Sequence, residues 1–128
     1  MNQQRPVNLD LGSIKFPPMA IASILHRISG LVLFLFLPIM LYFLRESLVS
    51  PESFEHLKTL LMTSAWHKLI IWAFSSAWLY HLLAGIRHLL MDMGIGETLD
   101  AGRRSALIVI GLSILGIMMM GACLWSAA

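Results

Sequence analysis

Residues 105–128, SALIVIGLSILGIMMMGACLWSAA, carry no charged side chain. Nothing constrains this chain more, because a run of that length has few places to hide in a protein of 128 residues. A helix needs about 20 apolar residues to cross a hydrocarbon core of about 30 Å. Two further stretches are similar. Ile28 to Leu44 lies uncharged between Arg27 and Arg45, and Leu69 to Ile86 lies uncharged between Lys68 and Arg87. Only 12% of the residues are charged, 58% are hydrophobic, and mean hydropathy is +0.78. Soluble domains carry about 25% charged residues, so the expected class is an all-α membrane protein with three transmembrane helices.

Local signals refine the boundaries. The FPP sequence puts Pro18 at a suitable first-turn position, so the first helix is expected to start there. The spans are then predicted at about residues 18–44, 66–90 and 105–127, after an N-terminal segment of residues 1–17. Pro38 is a candidate kink. SPESFEHLKTLL between the first two spans reads as a short interfacial helix or an extension of the second span. MGIGETLDAG, glycine-bearing and acidic, reads as a loop. The first fifteen residues contain no apolar signal-peptide core, so the first span is expected to direct membrane insertion without cleavage.

Lysine and arginine set the expected orientation. Arg5, Lys15, Arg27, Arg87, Arg103 and Arg104 fall on one side, and Arg45, Lys58 and Lys68 on the other. The positive-inside rule then puts the N-terminus in the cytoplasm and the C-terminus outside. A net charge of +2 gives no support for nucleic-acid binding. The single cysteine, Cys123, excludes an intrachain disulfide, and there is no C-x-x-C-H for covalent haem attachment.

Polar groups near hydrocarbon are costly and tend to be functional. Ser23 and Arg27, at i and i+4, share a helix face. They could offer hydrogen bonds and a positive charge to a carbonyl-bearing ligand. Equally, Arg27 could simply snorkel to lipid phosphates. His81 lies roughly 9 Å deeper than Arg87, with Ala84, Gly85 and His88 along the same stripe. Small residues beside an imidazole would make room for a macrocycle. They would also let another helix pack closely, with His81 bonded across the interface. His26, beside Arg27, is placed for acidic ligand groups, and no second axial ligand to pair with His81 is evident in the chain.

RPVNLDL, FPPMAIASILHRISG and YHLLAGIRHLLMD, followed by a third apolar span, together carry a wider likeness. The chain resembles the cytochrome b membrane-anchor subunits of bacterial succinate dehydrogenase, respiratory complex II. That resemblance implies a heterotetramer of a flavoprotein with FAD, an iron-sulfur protein and two small anchor chains whose helices bundle together. It implies ubiquinone binding by Ser23 and Arg27, haem propionate contacts from His26 and Arg27, and axial haem b ligation by His81. The opposite ligand would be a histidine of the second anchor chain, and Asp92 would serve proton supply. No complete active site would reside in this chain alone. A related fumarate reductase anchor, a haem-free structural anchor and a small transporter are the competing readings, the last weakened by the lack of an internal repeat.

Overall fold

A computed structural model of the chain describes residues 15–126. The RPVNLDL motif, Arg5 and the last two residues lie outside this range. The described residues form four helices and no strand: α1 (Pro18–Val49), α2 (Pro51–Thr63), α3 (Ala65–Asp92) and α4 (Leu99–Ser126). Three of these, α1, α3 and α4, are long and apolar enough to cross a membrane. The protein is a multi-pass, all-α membrane protein, as its composition predicts.

Pro18 occupies the first turn of α1, where a missing N–H costs nothing. The helix runs through Pro38 and past Arg45 as far as Val49. Ser50, in extended conformation, then reverses the chain and caps α2, its Oγ accepting from the Ser53 N–H at 3.1 Å. Glu52 in that first turn is held below the usual carboxylate range by its own backbone N–H and then by the Ser50 hydroxyl. With 13 residues, α2 is about 20 Å long and too short to span. It is a helix separate from α3, with Ser64 between them.

One boundary differs from the sequence expectation. The stretch read as a loop through Gly102 ends at Thr98, and α4 begins at Leu99. Thr98 is the reason: its Oγ1 accepts from the Ala101 N–H and its carbonyl from the Gly102 N–H. Asp100 adds a negative charge in the first turn, against the positive end of the helix dipole.

The three long helices run up, down and up. Contacts between α1 and α3 fall in antiparallel register: the Tyr80 hydroxyl donates to the Ala22 carbonyl, and Phe36 lies against Phe74. Those between α3 and α4 do too, with Arg87 on Ser105 and Trp72 Nε1 donating to the Ile117 carbonyl. The core is thin and made of small residues. Gly102, Ala106, Val109 and Ser113 form the buried stripe of α4, facing Tyr80 and Ala84 of α3 at its centre. A Cβ at Gly116 would come within 2.5 Å of the Leu79 side chain. Close approach through small residues is how helices associate where lipid removes the hydrophobic drive.

Candidate functional site

The S-x-x-H-R-x-S-G segment of α1 and the H-x-x-x-G-x-R-H segment of α3 meet where these helices cross. The His26 and His81 rings stack with centroids 4.2 Å apart and planes 21° apart. His88 sits edge-on to His26 at 4.9 Å. His26 thus lies between the two histidines of α3. Its Nε2 is buried without a hydrogen-bond partner.

Hydrogen bonds fix the protonation of His81. Its Nδ1 lies 3.2 Å from the His26 carbonyl oxygen and 3.1 Å from Ser29 Oγ. A carbonyl can only accept, so Nδ1 carries the proton. The Ser29 hydroxyl donates its own hydrogen to the same carbonyl at 2.8 Å, which leaves its lone pairs to accept from His81. With Nδ1 donating, Nε2 is the nitrogen left to present a lone pair when the ring acts as a ligand. Metal-ligating histidines are set up this way, one nitrogen donating to a carbonyl or hydroxyl and the other free to coordinate. The donor set of this chain therefore fits a haem iron on His81. Among the described residues no three His, Cys, Asp or Glu side chains cluster as a protein-only metal site.

The space beside His81 is made differently from the sequence reading. Ala84 packs in the core with Tyr80 and Val109. Gly85 faces His26, whose Nε2 would lie 3.6 Å from a Cβ there. Both small residues of α3 are thus taken up in helix packing. Clearance for the His81 ring comes instead from Gly30 of α1, where a Cβ would stand 3.0 Å from Cε1.

Toward the start of α1, a cavity of about 360 Å³ is lined by Met19, Ser23, Arg87, His88, Met91 and Asp92. Ser23, His88 and Asp92 are thus brought together. Arg27 is exposed on α1 and does not line this cavity. The sequence marks Arg87 as a span boundary and an orienting charge, not as a site residue, yet it is 6% exposed. Its Nε donates to Ser105 Oγ at 3.0 Å and its Nη2 to the Gly102 carbonyl at 3.2 Å. Ser29 and Gly30 were likewise unassigned. The repeated serine and the glycine of S-x-x-H-R-x-S-G were the available signal.

Comparison with known proteins bears on what this pairing of segments belongs to. The family model described as succinate dehydrogenase/fumarate reductase transmembrane subunit matches residues 1–120. The chain belongs to that family. It is 53% identical over 125 residues to the succinate dehydrogenase cytochrome b556 subunit of Coxiella burnetii, covering 98% of this chain and all of the relative. The cytochrome b556 subunit of Rickettsia typhi is 32% identical over 117 residues, 91% of this chain and 90% of that one. The cytochrome b560 subunit of Porphyra purpurea is 35% identical over 95 residues, 71% of this chain and 74% of that one. Within the family this chain is a membrane subunit of the succinate dehydrogenase cytochrome b kind.

Proposed function

We propose that this chain is the haem b-bearing anchor of a succinate:ubiquinone oxidoreductase in the bacterial inner membrane. One observation carries the haem assignment: the His26 carbonyl and Ser29 hydroxyl fix the His81 proton on Nδ1, leaving Nε2 as the ligand. The relatives' names, cytochrome b556 and b560, agree with it. When bound, haem would supply reversible one-electron storage. His26, stacked flat on His81, is not placed to ligate from the opposite side, and His88 is edge-on to His26. A histidine of a second small anchor chain would supply the other ligand. Arg27, exposed beside His26, supplies a charge for a propionate, and the unpartnered Nε2 of His26, buried against Gly85, could join it only if the ring turned outward.

Ubiquinone takes two electrons from the iron-sulfur partner and two protons from the cytoplasmic side, leaving as ubiquinol. Ser23 donates a hydrogen bond to a quinone oxygen from the cavity wall, and Arg27, exposed one turn further along α1 and outside the cavity lining, would have to reach over its rim to stabilise charge gathering on that oxygen. Asp92, exposed at the end of α3 on the same cavity, passes protons inward. FAD and the iron-sulfur clusters reside in the soluble partners that the chain anchors.

Replacement in the assembled complex tests this reading. His81→Ala should abolish the low-spin bis-histidine haem spectrum, whereas His88→Ala should preserve it. Arg27→Leu should slow quinone reduction by about 10- to 100-fold, the worth of one charge-assisted contact, and Ser23→Ala by about 3- to 10-fold, the worth of a neutral one, while succinate oxidation by a soluble dye persists. Normal quinone kinetics in both would reduce Arg27 to a lipid anchor. A haem spectrum indifferent to His81 would remove the ligand assignment.

A further inference from the structure

Arg87 is a permanent cation inside a membrane helix, and the described residues give it no carboxylate. The ion pairs among them are Arg45 with Glu46 and Lys58 with Glu55, both at the other end of the bundle. Burying an unpaired cation is expensive, so such residues are kept where the charge or its geometry is used. Part of the geometry is structural. Nε and Nη2 clasp the first turns of α4, and Gly102, whose carbonyl accepts from both Nη2 and the Ser105 hydroxyl, also receives Met19 of α1. A clasp of that sort needs donors but not a charge. The third arm points elsewhere: Nη1 lies 3.5 Å from His88 Nδ1.

That contact, long for a hydrogen bond, favours one tautomer of His88. A guanidinium has five N–H donors and no lone pair, so a protonated Nδ1 at this distance would meet it donor to donor. The ring that suits the contact presents its Nδ1 lone pair to the guanidinium and carries its N–H on Nε2. Arg87 and His88 both line the cavity that holds Ser23. We infer that Arg87 is a positioning residue of this cavity, holding His88 as an Nε2–H donor that joins the Ser23 hydroxyl on a quinone carbonyl. This rests on the quinone site proposed above and adds to it a second donor and the residue that orients it. His81 is fixed as an Nδ1–H tautomer by a carbonyl and a hydroxyl, and His88 is favoured as the opposite tautomer by a guanidinium. The first arrangement frees a lone pair for a metal, and the second frees a donor for a carbonyl.

A double-mutant cycle in the assembled membrane complex tests this, with a short-chain ubiquinone as substrate. Arg87→Gln and His88→Leu should each raise the quinone KM by about 3- to 10-fold, the range of one neutral hydrogen bond, with succinate-to-dye activity retained. Combining them should add nothing further, because Arg87 acts through His88. A purely structural Arg87 would instead give multiplied effects in the pair, which overturns the inference. Should Arg87→Gln fail to assemble, Arg87→Lys and His88→Leu carry the test, and an unchanged quinone KM in His88→Leu overturns it. Ser23→Ala, run in parallel, separates the two levels. Normal kinetics there would sink the quinone site itself, whereas impaired Ser23→Ala beside normal His88→Leu would sink the Arg87–His88 inference alone.

Discussion

At Gly30 the chain has no room for a side chain. A Cβ would stand 3.0 Å from His81 Cε1 and 3.5 Å from Nδ1, in a site where both ring and helix are already held. The ring cannot retreat without giving up the His26 carbonyl and Ser29 hydroxyl that set its tautomer. Gly30→Ala is therefore expected to leave the fold intact while displacing His81, which should shift the reduced haem band and the haem midpoint potential. Optical redox titration of the complex checks this, and values matching the parent protein would show that His81 has slack. Ser29→Ala should be milder, since the carbonyl of His26 still takes the proton. The sequence singles out His26, Arg27 and His81 because charge and imidazole are conspicuous in an apolar run, and Ser23 through its i, i+4 spacing to Arg27. Ser29, Gly30 and Arg87 were not legible in the same way. Their roles depend on how α1, α3 and α4 sit against one another, and helical periodicity within one segment does not contain that.

Elements were legible where a terminator is written in residue type. Pro18 marks the start of α1 and the Ser50–Pro51–Glu52 run marks α2. The end of α3 is marked by glycine. Gly94 has φ +80°, its N–H bonds to the Met91 carbonyl and the Ile95 N–H to that of Leu90, the pairing of a Schellman cap. The start of α4 was missed because Leu99–Asp100–Ala101–Gly102 has loop-like composition, and only the Thr98 cap turns it into helix. Gly94→Ala must place a Cβ on a left-handed backbone and should cost about 1–2 kcal/mol. Gly111 is the internal control: it is helical and faces open space, so alanine there should be neutral or stabilising by up to about 1 kcal/mol. Thermal inactivation of quinone reduction in detergent should fall for Gly94→Ala and hold or rise for Gly111→Ala. Equal behaviour of the two would mean that the cap does not limit stability.

The whole chain buries little of itself. Only 6% of the apolar window of α1 and 11% of those of α3 and α4 is buried, as suits helices whose outer faces meet lipid or another anchor chain. What the bundle does fix is an end. The start of α1, the end of α3 and the start of α4 meet at one end, with Ser23, Arg87, His88 and Asp92 around their cavity. Arg45, Lys58 and Lys68 lie at the other, along the α1–α2–α3 turn. The first end carries Lys15, Arg27, Arg87, Arg103 and Arg104 among the described residues, a five-to-three excess that supports the cytoplasmic orientation proposed for it. The proposed chemistry needs the same side, because the quinone cavity must adjoin the soluble partners that deliver electrons. Exposed Glu52 in α2 and exposed Glu97 after α3 report on the two ends. In a Cys123→Ser background, Glu52→Cys should react with a membrane-impermeant maleimide added to cells whose outer membrane alone is opened. Glu97→Cys should stay unlabelled until the inner membrane is breached. Labelling of Glu97→Cys from outside would turn the Ser23 cavity toward the periplasm, away from any cytoplasmic electron donor, and the proposed function would fall with the orientation.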